Sequence, residues 1–196
     1  LFRSKIVAIL YVNWDEEYKK SLVKSFGLDE KKRYKNLSRG MQSIVGLIIG
    51  LASRAPITMF DEPSLGLDAA HRDDFYSLLL KDYQEHPRTI IISTHLIDEV
   101  ASILEEVIIL EKGEVKLTQA AEALGEKGKY LSGRKDALEP LIKGKRIIHQ
   151  ESFGSNEIYV VMEDFSEEEL RSFRANNIDI SPIPLQKLFI YLTKES

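Results

Sequence analysis

The sequence predicts an α/β protein, a doubly wound parallel core followed by a small α+β domain, and three observations carry that prediction. Two short apolar runs, Ile57 to Phe60 and Ile90 to Ile92, are bounded by turn signals and joined by a segment with helical periodicity. A strand, a helix and a parallel strand in succession form the crossover from which doubly wound sheets are built. From Lys129 onward the pattern changes to β-α-β-β-α-β, the ferredoxin-like order.

Taken along the chain, Phe2 to Tyr11 has helical spacing, with Ile6, Ile9 and Leu10 on one side. A second helix starts at Asp15, whose carboxylate suits an N-cap, and stops at Gly27, with Trp14 and Tyr18 expected to pack. Lys31, Lys32, Arg33 and Lys35 form a basic run that is expected to be a solvated loop. Ser38 then caps a helix running to about Ala52, in which Ile44, Leu47, Ile48 and Leu51 share one face. Gly46 and Gly50 weaken that helix unless something packs closely against them. Ile57 to Phe60 suits a strand buried on both faces, which delivers Asp61 and Glu62 at its end. Ala69 to Glu85 is the crossover helix, through Phe75, Leu78, Leu79 and Asp82, and Ile90 to Ile92 deliver His95 at the same edge. Leu96 to Leu104 is expected to be helical, with a hairpin after it, Val107 to Leu110 and Val115 to Leu117 around Lys112-Gly113. A helix is expected over Gln119 to Leu124, and Gly125 to Lys129 has the composition of a linker. In the last domain the helices are Lys135 to Ile142 and Ser166 to Ala175, with Ser166 and Glu169 forming a capping box. A terminal helix, Pro184 to Thr193, carries Leu185, Leu188, Phe189 and Leu192 on one face, the spacing of a core stripe.

The chemistry gathers between Asn36 and His95. A helix N-terminus with a hydroxyl beside it is an anion site, and Gly40 lets a ligand approach the backbone. Two carboxylates after a core strand can divide the labour, one holding Mg²⁺ through water and the other accepting a proton from an attacking water. Each feature alone also fits an ordinary Ser-capped helix or a polar turn after a strand. His71, His86 and His149 have the setting of surface residues, whereas His95 leaves a buried run beside Asp61.

The order of these pieces resembles the nucleotide-binding subunits of ABC transporters. LSRGMQ, from Leu37 through Ser38, Arg39, Gly40 and Met41 to Gln42, is similar to the ABC signature, and ITMFDE, Ile57 to Glu62, to Walker B with its adjacent glutamate. SLGLD, Ser64 to Asp68, is similar to the D-loop and His95 to the H-loop switch. Arg39 and Met41 depart from the commonest signature and Leu65 from the usual small polar residue of the D-loop, and several bacterial exporter ATPases resemble this LS-x-GM form. The G-x-x-x-x-G-K-[ST] loop does not occur in these residues, so the resemblance is to the C-terminal part of a P-loop NTPase of the ABC type. It implies residues 1–125 as that part, with the end of the helical subdomain, and 129–196 as an α+β accessory domain.

The resemblance further implies an ATPase that powers a transporter, with ATP and Mg²⁺ as cofactors. Asp61 would hold Mg²⁺ through water, Glu62 would be the base, and His95 would contact the γ-phosphate and the base. Ser38 and Gly40, within the signature Ser38 to Gln42, would grip a nucleotide held by a second ATPase subunit, and Asp68 would bridge the two subunits. A transmembrane permease is the other implied partner, placing the subunit in the cytoplasm against the inner face of the membrane. A non-catalytic interaction module and a soluble ABC ATPase are the alternatives. With 30% charged residues and a net charge of −4, the chain has no basic excess for nucleic acid. It has no cysteine, and hence neither disulfides nor thiolate metal sites, and no apolar run long enough to span a bilayer.

Overall fold

The first described helix, α1 (Glu16–Ser25), begins where Asp15 accepts the Tyr18 N–H at 2.8 Å and ends at Phe26 and Gly27, the latter in the left-handed region at φ +59°. The structure, a computed structural model, describes residues 9–194; most of the helix expected over Phe2 to Tyr11 lies outside them. The chain divides into two units between His95 and Leu96.

In the first unit a 3₁₀ turn (Tyr34–Asn36) leads into α2 (Arg39–Ala52), capped by Ser38, which accepts the Met41 N–H at 3.2 Å. Ile44, Leu47, Ile48 and Leu51 are buried, as their spacing requires, and Val45 and Ala52 join them. Gly50 is needed because a Cβ there would stand 2.5 Å from the Phe60 ring. Gly46, in contrast, faces open space, so it costs helix propensity without a packing return.

Strands β1 (Ile57–Asp61) and β2 (Thr89–Ser93) pair in parallel, with Asp61 opposite Ser93, and α3 (Ala69–Glu85) connects them. Phe60 meets Phe75 of α3 edge to face at 5.5 Å. The expectation that β1 is buried on both faces is corrected. Thr58 and Phe60 face inward, but Ile57 and Met59 on the other face are 63% and 72% exposed, since α2 and α3 both pack on the Phe60 side.

Behind the sheet, Asp82 is buried with one carboxylate oxygen on Arg54 and the other on Arg88 at 2.7 Å. Arg54 also reaches Asp15 at 3.2 Å and lies over the Tyr18 ring, 4.3 Å from its centre. Burial pushes the Tyr18 phenol well up, and the Asp82 charge adds to it. The cluster ties α1, the end of α2, α3 and the start of β2 into one body.

The second unit opens with a single turn of helix, α4 (Ile97–Val100), in place of the longer helix expected to Leu104; from Ala101 the chain runs as turns, with the Ile103 N–H bonded to Val100 O. Strands β3 (Glu106–Glu111) and β4 (Glu114–Ala120) form the expected hairpin, closed by Lys112 and Gly113, both at positive φ. Gln119 therefore belongs to β4, and the next helix, α5, spans Ala121–Lys127. Gly125 to Lys129 is no loose linker: it is the end of α5 and the start of β5 (Gly128–Arg134). Gly128 is buried, and a Cβ on it would meet Ile183 at 2.4 Å.

After β5 come α6 (Lys135–Leu141), β6 (Ile147–Phe153), β7 (Asn156–Met162), α7 (Glu167–Ala175), β8 (Asp179–Pro182) and α8 (Leu185–Lys194). The sheet order is β6-β7-β5-β8 with every pair antiparallel, the ferredoxin-like arrangement. Leu131, Leu138, Ile142, Tyr159 and Phe173 form the core between one sheet face and helices α6 and α7. Leu188 of α8 is fully buried in a second cluster with Ile148, Val160 and Ile183, and Leu185 and Leu192 of the terminal stripe pack against it. Ser166 and Glu169 form the capping box; the Lys145 ammonium on the same carboxylate, with the Ser166 bonds second, lowers the Glu169 pKa to about 2.

Replacing Asp82 with Ala removes the buried carboxylate that the two guanidinium groups share; Arg54 keeps Asp15, and Arg88 is left short of a counter-charge. The expected loss is about 3–5 kcal/mol in urea unfolding of the chain. A loss below about 1 kcal/mol would instead mark the cluster as energetically equivalent to a surface ion pair.

Candidate functional site

The parallel pairing of β1 and β2 sets the site, because it ends both strands at one edge with Asp61 beside Ser93. One residue further, Glu62 donates its N–H to Ser93 O at 2.8 Å and adopts φ +46°. Left-handed backbone at a non-glycine residue costs about 1–3 kcal/mol and is concentrated where function holds it. The next turn is closed by Leu65 N–H to Glu62 O at 3.0 Å and Leu67 N–H to Ser64 O at 3.1 Å.

Both carboxylates are anchored by the end of β2. The Ser93 hydroxyl donates to Asp61 Oδ1 at 2.9 Å. Glu62 Oε1 accepts the His95 N–H at 3.2 Å and stands 2.7 Å from the His95 Nδ1, while its Oε2 accepts from the Thr94 hydroxyl at 3.3 Å. The His95 side chain remains 64% exposed and that of Glu62 29%, so the pair opens to solvent on its far side. Sequence reasoning singled out Asp61, Glu62 and His95 but missed Ser93 and Thr94. Their signal was two hydroxyls between the Ile90 to Ile92 run and His95, Ser93 ending β2 and Thr94 just past it.

Residues 38–42 are gathered elsewhere, against the loop of residues 64–68. Gly40 lies so close to Gly66 that a Cβ would stand 2.7 Å from Gly66 O, and Ser43 donates to Leu65 O at 3.3 Å. Close approach of two backbones, rather than of backbone and ligand, is what this structure demands of Gly40. The Ser38 oxygen is exposed and caps Met41, Arg39 is exposed, and the Gln42 amide donates to Leu37 O at 3.1 Å and Tyr34 O at 3.3 Å, holding the chain entering α2.

Asp68 caps α3, accepting the His71 N–H at 2.9 Å, and its carboxylate also lies 2.9 Å from the His71 ring nitrogen. That backbone bond, with the ring bond second, holds the exposed Asp68 carboxyl below the usual aspartate range. His71 is therefore more than a surface residue, and so is His149, half-buried and stacked on Tyr191 at 3.9 Å between ring centres.

The donors suit Mg²⁺ only in one way. Among the described residues no three His, Cys, Asp or Glu side chains cluster as a metal cage. Asp61 offers an exposed hard oxygen beside an exposed edge, which matches an ion that keeps its waters and leans on one carboxylate plus phosphates. The N-terminus of α2, a helix of 14 residues, suits an anion. A cleft of about 1040 Å³ lies at the opposite strand edge, bounded by Trp14, Arg54, Pro56, Arg88 and Thr89, and has no part in this arrangement.

Residues 15–101 match the family model described as "AAA domain, putative AbiEii toxin, Type IV TA system". The chain is 34% identical over 123 residues to the energy-coupling factor transporter ATP-binding protein EcfA2 of Enterococcus faecalis, covering 60% of this chain and 43% of that protein. It is 27% identical over 106 residues to the ABC transporter ATP-binding protein YtrB of Bacillus subtilis, covering 54% of this chain and 36% of the relative. The chain thus spans less than half the length of these two curated relatives. A solved ATP-binding subunit of an ABC transporter shares the fold with a TM-score of 0.54 at 20% identity, over 71% of this chain and 52% of that one. The relatives named here are ATP-binding subunits of ABC transporters, and over its matched part the chain shares the fold of one such solved subunit.

Proposed function

We propose that this chain is part of an ATP-hydrolysing subunit that powers an ABC membrane transporter. The observation that supports it best is the joined set of Asp61, Glu62 and His95, held at one strand edge by hydroxyls and backbone of β2. In this reading Asp61 holds Mg²⁺ through water, and the ion supplies charge neutralisation on the phosphates. Glu62 orients the attacking water and takes its proton at Oε1, the oxygen His95 now contacts. His95 turns from Glu62 toward the terminal phosphate, a movement its exposure permits. Ser38 and Gly40, with Arg39, Met41 and Gln42 around them, present the N-terminus of α2 to a nucleotide carried by a second ATPase subunit in a head-to-tail dimer. Asp68 follows the loop whose Gly66 touches Gly40, and in this reading it bridges the two subunits.

The phosphate-cradling loop, which these 196 residues do not contain, comes from another stretch of polypeptide in this reading. Residues 1–125 then form the C-terminal part of the ATPase domain, and 129–196 an accessory domain. The permease places the subunit on the inner face of the membrane; among the described residues no helix is long and apolar enough to cross one. The LS-x-GM signature supports export, while the relatives include a taurine import ATP-binding protein of Escherichia coli.

Two outcomes check this reading. In the complete subunit, Glu62→Gln should lower ATP turnover about 10²-fold or more while leaving nucleotide binding intact, and should accumulate an ATP-bound dimer in size-exclusion chromatography; ordinary turnover in that variant contradicts the role of Glu62. For the loop, carboxyl ¹³C NMR of this chain should place the Asp68 midpoint below the ordinary value of about 3.9. A depressed native pKa contributes stability that is present above the unfolded value and lost as pH falls through the native one, so the cap of α3 loosens on acidification. His71→Ala removes the ring bond and keeps the backbone bond, so the Asp68 midpoint should rise part of the way; an unchanged midpoint would show that the ring does not hold the carboxylate.

A further inference from the structure

The Glu62 backbone is fixed by β2, since its N–H donates to Ser93 O at 2.8 Å and it holds φ +46°. Its side chain is long and has rotamer freedom to lose before it can aim a carboxylate. Two consecutive residues remove that freedom. Oε1 accepts the His95 N–H at 3.2 Å and stands 2.7 Å from the His95 Nδ1, while Oε2 accepts the Thr94 hydroxyl at 3.3 Å. Contacts on both oxygens fix the plane of a carboxylate, whereas contacts on one leave it free to rotate.

The three contacts differ in how easily they break. The His95 ring is exposed and joined to its backbone by rotatable bonds, so it can leave. The His95 N–H cannot leave without the main chain. Thr94 is half-buried, follows directly on β2 and has the stiff first torsion of a β-branched residue, which makes its hydroxyl a firm donor. With the ring gone, the backbone N–H still holds Oε1 and the Thr94 hydroxyl still holds Oε2. Without that hydroxyl a single N–H would be left, on one oxygen only.

We propose that Thr94 is a positioning residue for Glu62: its hydroxyl holds Oε2, so that the carboxylate keeps its plane and leaves Oε1 to take the proton while the His95 ring is turned away. Thr94 touches no reacting atom and acts only through Glu62. The catalytic meaning of this hold rests on the function proposed above; the hold itself does not.

The test compares turnover in the complete subunit with a signal from this chain that needs no nucleotide. Thr94→Val keeps the shape of the side chain and removes the hydroxyl. It should lower kcat about ten-fold, the size of one hydrogen bond to a charged group, with KM for ATP unchanged. Thr94→Ser returns the hydroxyl and should recover most of that loss. Added to Glu62→Gln, Thr94→Val should lower single-turnover hydrolysis by less than about two-fold, because a residue acting through Glu62 then has no base to position. In this chain alone, the Glu62 carboxyl ¹³C resonance should move in Thr94→Val and return in Thr94→Ser. Amide spectra with wild-type dispersion establish that each variant is folded, and Thr94→Ala serves if the valine disturbs β2. An unchanged kcat in Thr94→Val beside a crippled Glu62→Gln would overturn the proposal and leave the ATPase reading standing. Ordinary turnover in Glu62→Gln would instead remove the base that Thr94 serves, and the ATPase role of Glu62 with it. A raised KM at constant kcat, or an equal loss with and without Glu62→Gln, would give Thr94 a role apart from Glu62 and overturn the proposal as well.

Discussion

The pairing of β1 with β2 is the constraint on which the site depends. A parallel register with Asp61 opposite Ser93 dictates where the residues beyond both strands lie: Glu62 falls beside the carbonyl of Ser93, and Thr94 and His95 fall within reach of the Glu62 carboxylate. A slip of one residue would turn every side chain on β2 to the other face of the strand and break the set. The register is held in turn by packing behind the sheet, where Phe60 fills the space left by Gly50 and meets Phe75, and where Asp82 clamps Arg54 near the start of β1 to Arg88 near the start of β2. The strand starts are fixed by charge and the strand ends by hydroxyls.

A second constraint joins the start of α2 to this edge. Gly40 and Ser43 of α2 lie against the backbone of Leu65 and Gly66, and the same loop runs on to Asp68, the cap of α3. The loop therefore begins at Glu62 and ends at a helix cap, touching α2 on the way. Such a loop has few ways to move without disturbing one of the three.

Much of this was legible in the residues, and the part that was not has identifiable causes. Ser38, Asp15 and Ser166 cap their helices because a short oxygen-bearing side chain before an apolar period has one productive use. The ferredoxin-like order was readable because each of its strands and helices is bounded by its own turn chemistry. The exposed Ile57 and Met59 were misjudged, since an apolar run states that a face can be buried and not what covers it. Gly128 looked like a linker residue from its neighbours, yet it is buried against Ile183, which is 55 positions further along. His71 and His149 gained partners that composition does not encode, and the bond from Ile97 to Gln186 is a long-range contact with no local signal at all.

The central claim is that Asp61, Glu62 and His95 are one half of a nucleotide site whose phosphate cradle lies outside these residues. Isothermal titration with Mg·ATP tests it most directly, comparing this chain with the polypeptide that also carries a G-x-x-x-x-G-K-[ST] loop. The account predicts micromolar binding when the loop is present and none in that range for this chain alone. Micromolar binding to this chain by itself, undiminished by Asp61→Asn, would place the phosphate site elsewhere in the molecule and contradict it.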